Sequence, residues 1–232
     1  MSRIVSLAAA LTLTLTVGLP AAMAQDAAPA TKAIVNGEAI TSDALEARQY
    51  DLIGKDAIVK PVLDESRQLS RTPAVAQDLK GLMAAVVQEN PEATKEQIMA
   101  IVGEKSVAYT QTLAVRRVKP KLFAEVEAKA LHELIDEQLM LQEAKRQNVT
   151  IDDAAVDKAA EATVKRAGAA DEQLHKLLVA WDKRALPGAK ARIKAAMAWR
   201  AALKARLGAE TDDATAAKEL AALKQNAKIE KP

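Results

Sequence analysis

The stretch Pro120–Asn148, PKLFAEVEAKALHELIDEQLMLQEAKRQN, decides the fold class. Within it Phe123, Val126, Ala130, Leu131, Leu134, Ile135, Leu139 and Leu141 recur at helical spacing. At about 100° per residue they cover more than half of the circumference, too much for one buried stripe. A helix this apolar around its girth needs neighbours on several sides, so it belongs at the centre of a helical bundle.

Reading outward from this helix, other periodic segments supply the neighbours. Glu92 to Val118 carries Ile98, Ile101, Val102 and Val107, with Pro120 expected to interrupt it. Pro73 to Gln88 places Leu79, Leu82, Met83, Val86 and Val87 on one side and stops at Asn90-Pro91. Upstream, Asn36-Gly37 lies between two β-prone runs in Ala33 to Thr41, a strong hairpin signal because both turn positions favour φ > 0. Thr41, Ser42 and Asp43 then offer cap oxygens, Asp43 and Glu46 have capping-box spacing, and a helix is expected to about Val59, stopped by Pro61. Downstream, Thr150 and Asp153 form a second such pair, opening a helix that Gly168 ends. Leu174, Leu177, Leu178 and Trp181 mark a short helix ending before Leu186-Pro187-Gly188. The next carries Ile193, Ala196, Trp199, Leu203 and Leu207, with Gly208 as stop. Asp212 or Asp213 caps a last helix to about Asn226, and Ala227 to Ile229 is a short candidate strand. The expected fold is mainly α: a helical bundle with a small antiparallel β element made from the N-terminal hairpin and the C-terminal strand.

Composition agrees. Of 232 residues 51 are Ala and only five are aromatic, so the core must be shallow, built of small and aliphatic side chains between closely packed helices. A formal net charge of +2 gives no broad basic field for nucleic acid. Without cysteine there is no disulfide, thiolate site or cysteine nucleophile. The first 24 residues have one cation, Arg3, an apolar run from Ile4 to Leu19, and the small-x-small triplet Ala22-Met23-Ala24. They read as a secretory signal peptide cleaved after Ala24, followed by a flexible leader over 25–32. The mature protein is then expected to be exported and soluble, with no stable membrane insertion after cleavage.

Catalytic signals are weak. The eight glycines never fall within fifteen residues of one another, so neither dinucleotide nor phosphate-loop spacing is present, and no nucleotide or other cofactor is expected. His132 and His175 stand far apart with no ligand cluster around them, which gives no metal site. His132 and Asp136 read as a solvated pair one turn apart, and no catalytic residue is assigned. What the helices offer instead is adaptable apolar surface. Leu122 and Met140 project from the less apolar side of the central helix, and Met197 and Trp199 flank the Ile193 to Leu207 stripe; with Trp181 these are the candidate peptide-binding residues. The alternative is that they fill ordinary gaps between helices.

The hairpin AIVNGEAIT (33–41), followed at once by a capped helix, then LIDEQLMLQEAKRQNVTIDDAAVDKAAEATVKRAG (134–168), resembles the N-terminal chaperone domain of the SurA family of periplasmic folding factors. Arg192 to Leu207 is similar to that domain's long following helix, and the tail KELAALKQNAKIEKP (218–232) to the segment with which such foldases close the domain. Two departures accompany the resemblance. Tyr50 to Lys119 is longer than the family's segment and reads as a helical insertion, and about 25 residues after Leu207 are too few for a parvulin domain of ~100. The resemblance implies an ATP-independent holdase for unfolded polypeptides, with outer-membrane protein precursors as clients, and no enzyme. The competing functions are a prolyl cis-trans isomerase and a non-catalytic envelope adaptor with one fixed partner.

Overall fold

A computed structural model describes residues 29–164 and 172–231. The expected signal peptide, half of the leader and the Gly168 stop lie outside the described residues, as do the side chains of Leu174, His175 and Leu177.

Two strands open the fold, β1 (Thr31–Val35) and β2 (Glu38–Thr41). The register Val35↔Glu38 leaves Asn36 and Gly37 as the two-residue turn, with φ of 50° and 88°, the left-handed backbone that this pair of residues tolerates. β3 (Ile229–Glu230) returns from the far end of the chain to the other edge of β1, pairing Val35 with Ile229. The three-stranded antiparallel sheet has the order β2-β1-β3. Asn36 secures the return twice, its backbone N–H donating to the Lys228 carbonyl and its side-chain oxygen accepting from the Lys228 N–H, both at 2.9 Å.

Six helices follow among the described residues: α1 (Ser42–Leu69), α2 (Pro73–Glu89), α3 (Lys95–Arg146), α4 (Asp153–Val164), α5 (Glu172–Leu207) and α6 (Asp213–Asn226). The bundle with a small sheet is as the periodicity indicates, and α3 is its central member, touching α1, α2, α5, α6 and β1. Capping departs from expectation in detail. α1 is capped by the Thr41 hydroxyl, which accepts the Ala44 N–H, rather than by an Asp43–Glu46 box. The Asp152 carboxylate, not Thr150, accepts a free N–H in the first turn of α4, from Ala154. A full capping box stands where none was expected, at Thr94 and Gln97 opening α3. Asp212 caps α6, and Gly208, at φ 76°, ends α5.

Asn90-Pro91 ends α2 as expected, but the other three prolines expected to end helices are carried through. Pro61 lies inside α1, Pro120 inside the 52-residue α3, and Pro187 inside α5. An interior proline costs about 3 kcal/mol in lost hydrogen bond and ring clash. Tertiary burial exceeds that. Around Pro61 the side chains of Ile58, Val62 and Leu69 are almost wholly enclosed, each worth about 1.5–3 kcal/mol. Pro120 sits between buried Ala114 and Val118 on one side and buried Ala130 on the other, so stopping at it would break up two parts of the interior. The real break in α1 is Gly54, whose backbone turns to φ 62°.

The interior forms three apolar groups. The first joins Tyr50, Ile58, Val62 and Leu69 of α1 to Val118 of α3 and Trp181 of α5. The second lies beneath the sheet, where Val35, Ile40 and Leu45 meet Leu134, Ile135 and Leu139, with Leu220 and Ile229 packed against it. The third is small, Ala144 against Ala198 and Ala202, as an alanine-rich seam dictates. Some expected inward residues face out. Met83, Val87 and Val107 are exposed because α2 packs chiefly on α3, and the stripe Val75–Leu79–Leu82–Val86 suffices for that contact. Ala196 and Leu207 are exposed as well, the buried face of α5 running instead through Ala195, Ala198, Trp199, Ala202 and Leu203.

Candidate functional site

Three of the five aromatic rings come together. Tyr50 meets Phe123 at 5.0 Å and Trp181 at 4.6 Å between ring centroids, both edge to face. The cluster joins α1, α3 and α5, and its open side is the floor of a groove of about 510 Å³.

One helical face of α3 makes the first wall: Ala108, Gln111, Thr112, Val115, Arg116 and Lys119 at spacings of three and four. Lys176, Ala180, Trp181 and Arg184 of α5 make the second, and Tyr50 of α1 closes the end. Among the described residues the lining has no carboxylate and four cations. Lys119 holds its ammonium 4.9 Å from the centre of the Tyr50 ring and 4.7 Å from that of Phe123, and it pairs with Glu46 at 2.7 Å. Burial works to lower the lysine, but the Glu46 carboxylate and the Tyr50 hydroxyl outweigh it and keep its pKa above the ordinary value. Arg184 donates to the Tyr50 hydroxyl at 2.7 Å, which likewise raises it. The Gln111 side chain, in a residue only 5% exposed, has no hydrogen-bond partner among the described residues, nor has the buried indole N–H of Trp181. A groove wall with an unused amide favours a ligand that can hydrogen-bond there.

The candidate residues read from the sequence are therefore divided. Trp181 lines the groove, although at 4% exposure it is floor rather than projecting surface. Leu122 packs half-buried against the same aromatic group. Met140 and Met197 are half-buried elsewhere and do not line the groove. Trp199, 4% exposed, fills the interior, since the alanines beside it on α5 let neighbouring elements close over it. Tyr50, Gln111, Arg116, Lys119 and Arg184 went unassigned. The available signal was scarcity: in a chain with five aromatic residues, those that exist mark where wide space must be filled.

A second polar feature lies inside the bundle. Arg48, fully buried, donates to Asp51 at 2.7 Å and to Glu137, while Arg192 donates to both oxygens of Asp51 at 2.9 and 3.3 Å. Burial pushes the Glu137 carboxyl up to about 7, with Arg48 pulling in the opposite direction. The four groups lock α1, α3 and α5 to one another. His132 pairs with Asp136 at 3.5 Å as expected, and Lys224 of α6 joins them at 3.0 Å from the imidazole and 2.5 Å from the carboxylate. Among the described residues no group of three or more His, Cys, Asp or Glu side chains is placed to hold a metal, and no helix is long and apolar enough to cross a membrane.

The chain matches no protein-family model, and comparison with curated proteins and with solved structures returned no match.

Proposed function

We propose that the protein is an ATP-independent chaperone of the SurA type that holds unfolded polypeptides in the periplasm, outer-membrane protein precursors among them. The observation that carries this reading is the groove between α3 and α5, with an aromatic floor, a free amide and flexible cationic side chains at its edge. An extended client presents apolar side chains at alternate positions and unpaired backbone groups, and this groove offers a partner to each. Binding the unfolded chain lowers the concentration of aggregating species without directing its fold, and release follows from competition as the client folds or passes on.

The test is light scattering of a denatured β-barrel protein diluted into buffer without nucleotide. Suppression at equimolar or few-fold excess protein supports the reading, and unchanged aggregation contradicts it. A protease-coupled proline assay separates it from the isomerase alternative: the proposed chaperone leaves the uncatalysed rate unchanged.

A further inference from the structure

We infer that the groove selects acidic segments: an extended stretch of client in which large apolar side chains alternate with carboxylates. The inference rests on the reading that the chain binds unfolded polypeptides, and names which ones this site prefers.

The first ground is charge. Arg116, Lys119, Lys176 and Arg184 line the groove and, among the described residues, no acid does. Lys119 and Lys176 are paired with Glu46 and Glu104, neither of which is part of the lining. Arg116 is exposed and has no ion pair among the described residues, and Arg184 donates to the Tyr50 hydroxyl and shares the field of Glu46 with Lys119. Two positive charges are thus left in surplus beside an apolar floor. A carboxylate gains from them, whereas a lysine in the same place is repelled by that surplus.

The second ground is spacing. Lys176, whose ion pair with Glu104 is exposed on both sides and weak enough for a client carboxylate to exchange into, lies eight residues before Arg184 on α5, about 12 Å along the helix axis. A fatty acid or another amphiphile with one anionic head reaches only one of these positions. An extended chain rises about 3.3 Å per residue, so carboxylates four residues apart on one face match the 12 Å interval, and the side chains between them alternate toward the floor. The third ground is the Gln111 amide, which can donate and accept as a peptide backbone requires and which a hydrocarbon tail leaves unpaired.

The test measures fluorescence anisotropy of labelled peptides of about ten residues, long enough to span the groove. One alternates Phe with Glu, a second Phe with Lys, a third Ser with Glu, and dodecanoate serves as competitor. The full mature chain is compared with Arg116→Glu and Arg116→Lys, substitutions at an exposed position whose folding is checked by circular dichroism. The expected result is binding of the Phe/Glu peptide about tenfold tighter than of either other peptide, weakened by salt, reduced severalfold by Arg116→Glu and restored by Arg116→Lys. Equal binding of the Phe/Glu and Phe/Lys peptides, indifference to Arg116→Glu, or dodecanoate binding without peptide binding overturns it. The same preparations go into the light-scattering assay. Suppressed aggregation without charge preference removes the acidic selection and leaves the chaperone reading standing; charge preference without suppression does the reverse.

Discussion

Gly188 of α5 lies so close to Ala47 of α1 that a Cβ on the glycine would stand 2.3 Å from the Ala47 carbonyl oxygen and 2.7 Å from its carbon. The obstacle is backbone, which cannot swing aside as a side chain would. This contact explains why a Leu-Pro-Gly sequence that signals a helix end runs inside a helix: the glycine is there to let two backbones touch, and Ala185 and Ala189 beside it are also small and buried. Gly188→Ala is expected to destabilise the protein by at least about 2 kcal/mol, toward the upper end of overpacking costs, read as a fall in denaturant midpoint. Gly81, inside α2 with nothing near its missing Cβ, is the control, and Gly81→Ala is expected to stabilise by up to about 1 kcal/mol. Equal responses at the two sites would contradict the close approach.

The buried cluster ties stability to pH through Glu137. Unfolded, this carboxyl titrates near its ordinary 4.5; folded, burial holds the proton until about 7. The folded state therefore binds more protons between these values, and the contribution of Glu137 to stability, complete below about 4.5, is lost as the pH rises through 7. Glu137→Gln keeps an oxygen to accept from Arg48 but cannot ionise. Urea midpoints measured from about pH 5 to pH 8 are expected to fall more steeply for the wild type than for Glu137→Gln. Parallel curves would show that Glu137 titrates as in the unfolded chain.

Closure of the fold by its two ends gives a third prediction. β3 pairs with β1, and Leu220 and Ile229 pack beneath the sheet, but no residue of α6 is fully buried. Leu220 and Leu223 are half-buried. Truncation after Gly208 is expected to lower Tm while leaving a cooperative transition, because each half-buried aliphatic side chain lost is worth less than the ~1.5–3 kcal/mol of full burial. An unchanged Tm would mean that the returning strand adds nothing to stability.

Much of the architecture is legible in local chemistry. Asn36-Gly37 specifies its turn, the girth of Phe123 to Leu141 specifies a central helix, and Asp212 and Gly208 mark helix boundaries where they occur. Proline was misleading for a physical reason. Its cost is local and fixed, whereas the gain that overrides it comes from contacts with residues distant in sequence, such as Pro187 beside a glycine seated on Ala47. The groove was legible only in part for the same reason. Trp181 attracts notice by size, but Gln111, Arg116 and Lys119 are ordinary polar residues until α3 and α5 set them around the Tyr50 and Trp181 rings.

The central claim, that unfolded polypeptide occupies the groove between α3 and α5, is tested most directly by protection of a single cysteine. The natural chain has none, so Ala180→Cys in the α5 wall and Ala217→Cys on the exposed face of α6 each introduce one unique thiol. Maleimide alkylation is followed with and without a freshly diluted, denatured β-barrel protein. The client is expected to slow alkylation at position 180 and to leave position 217 unaffected; equal rates at 180 with and without client, under conditions where aggregation is suppressed, would contradict occupancy of the groove.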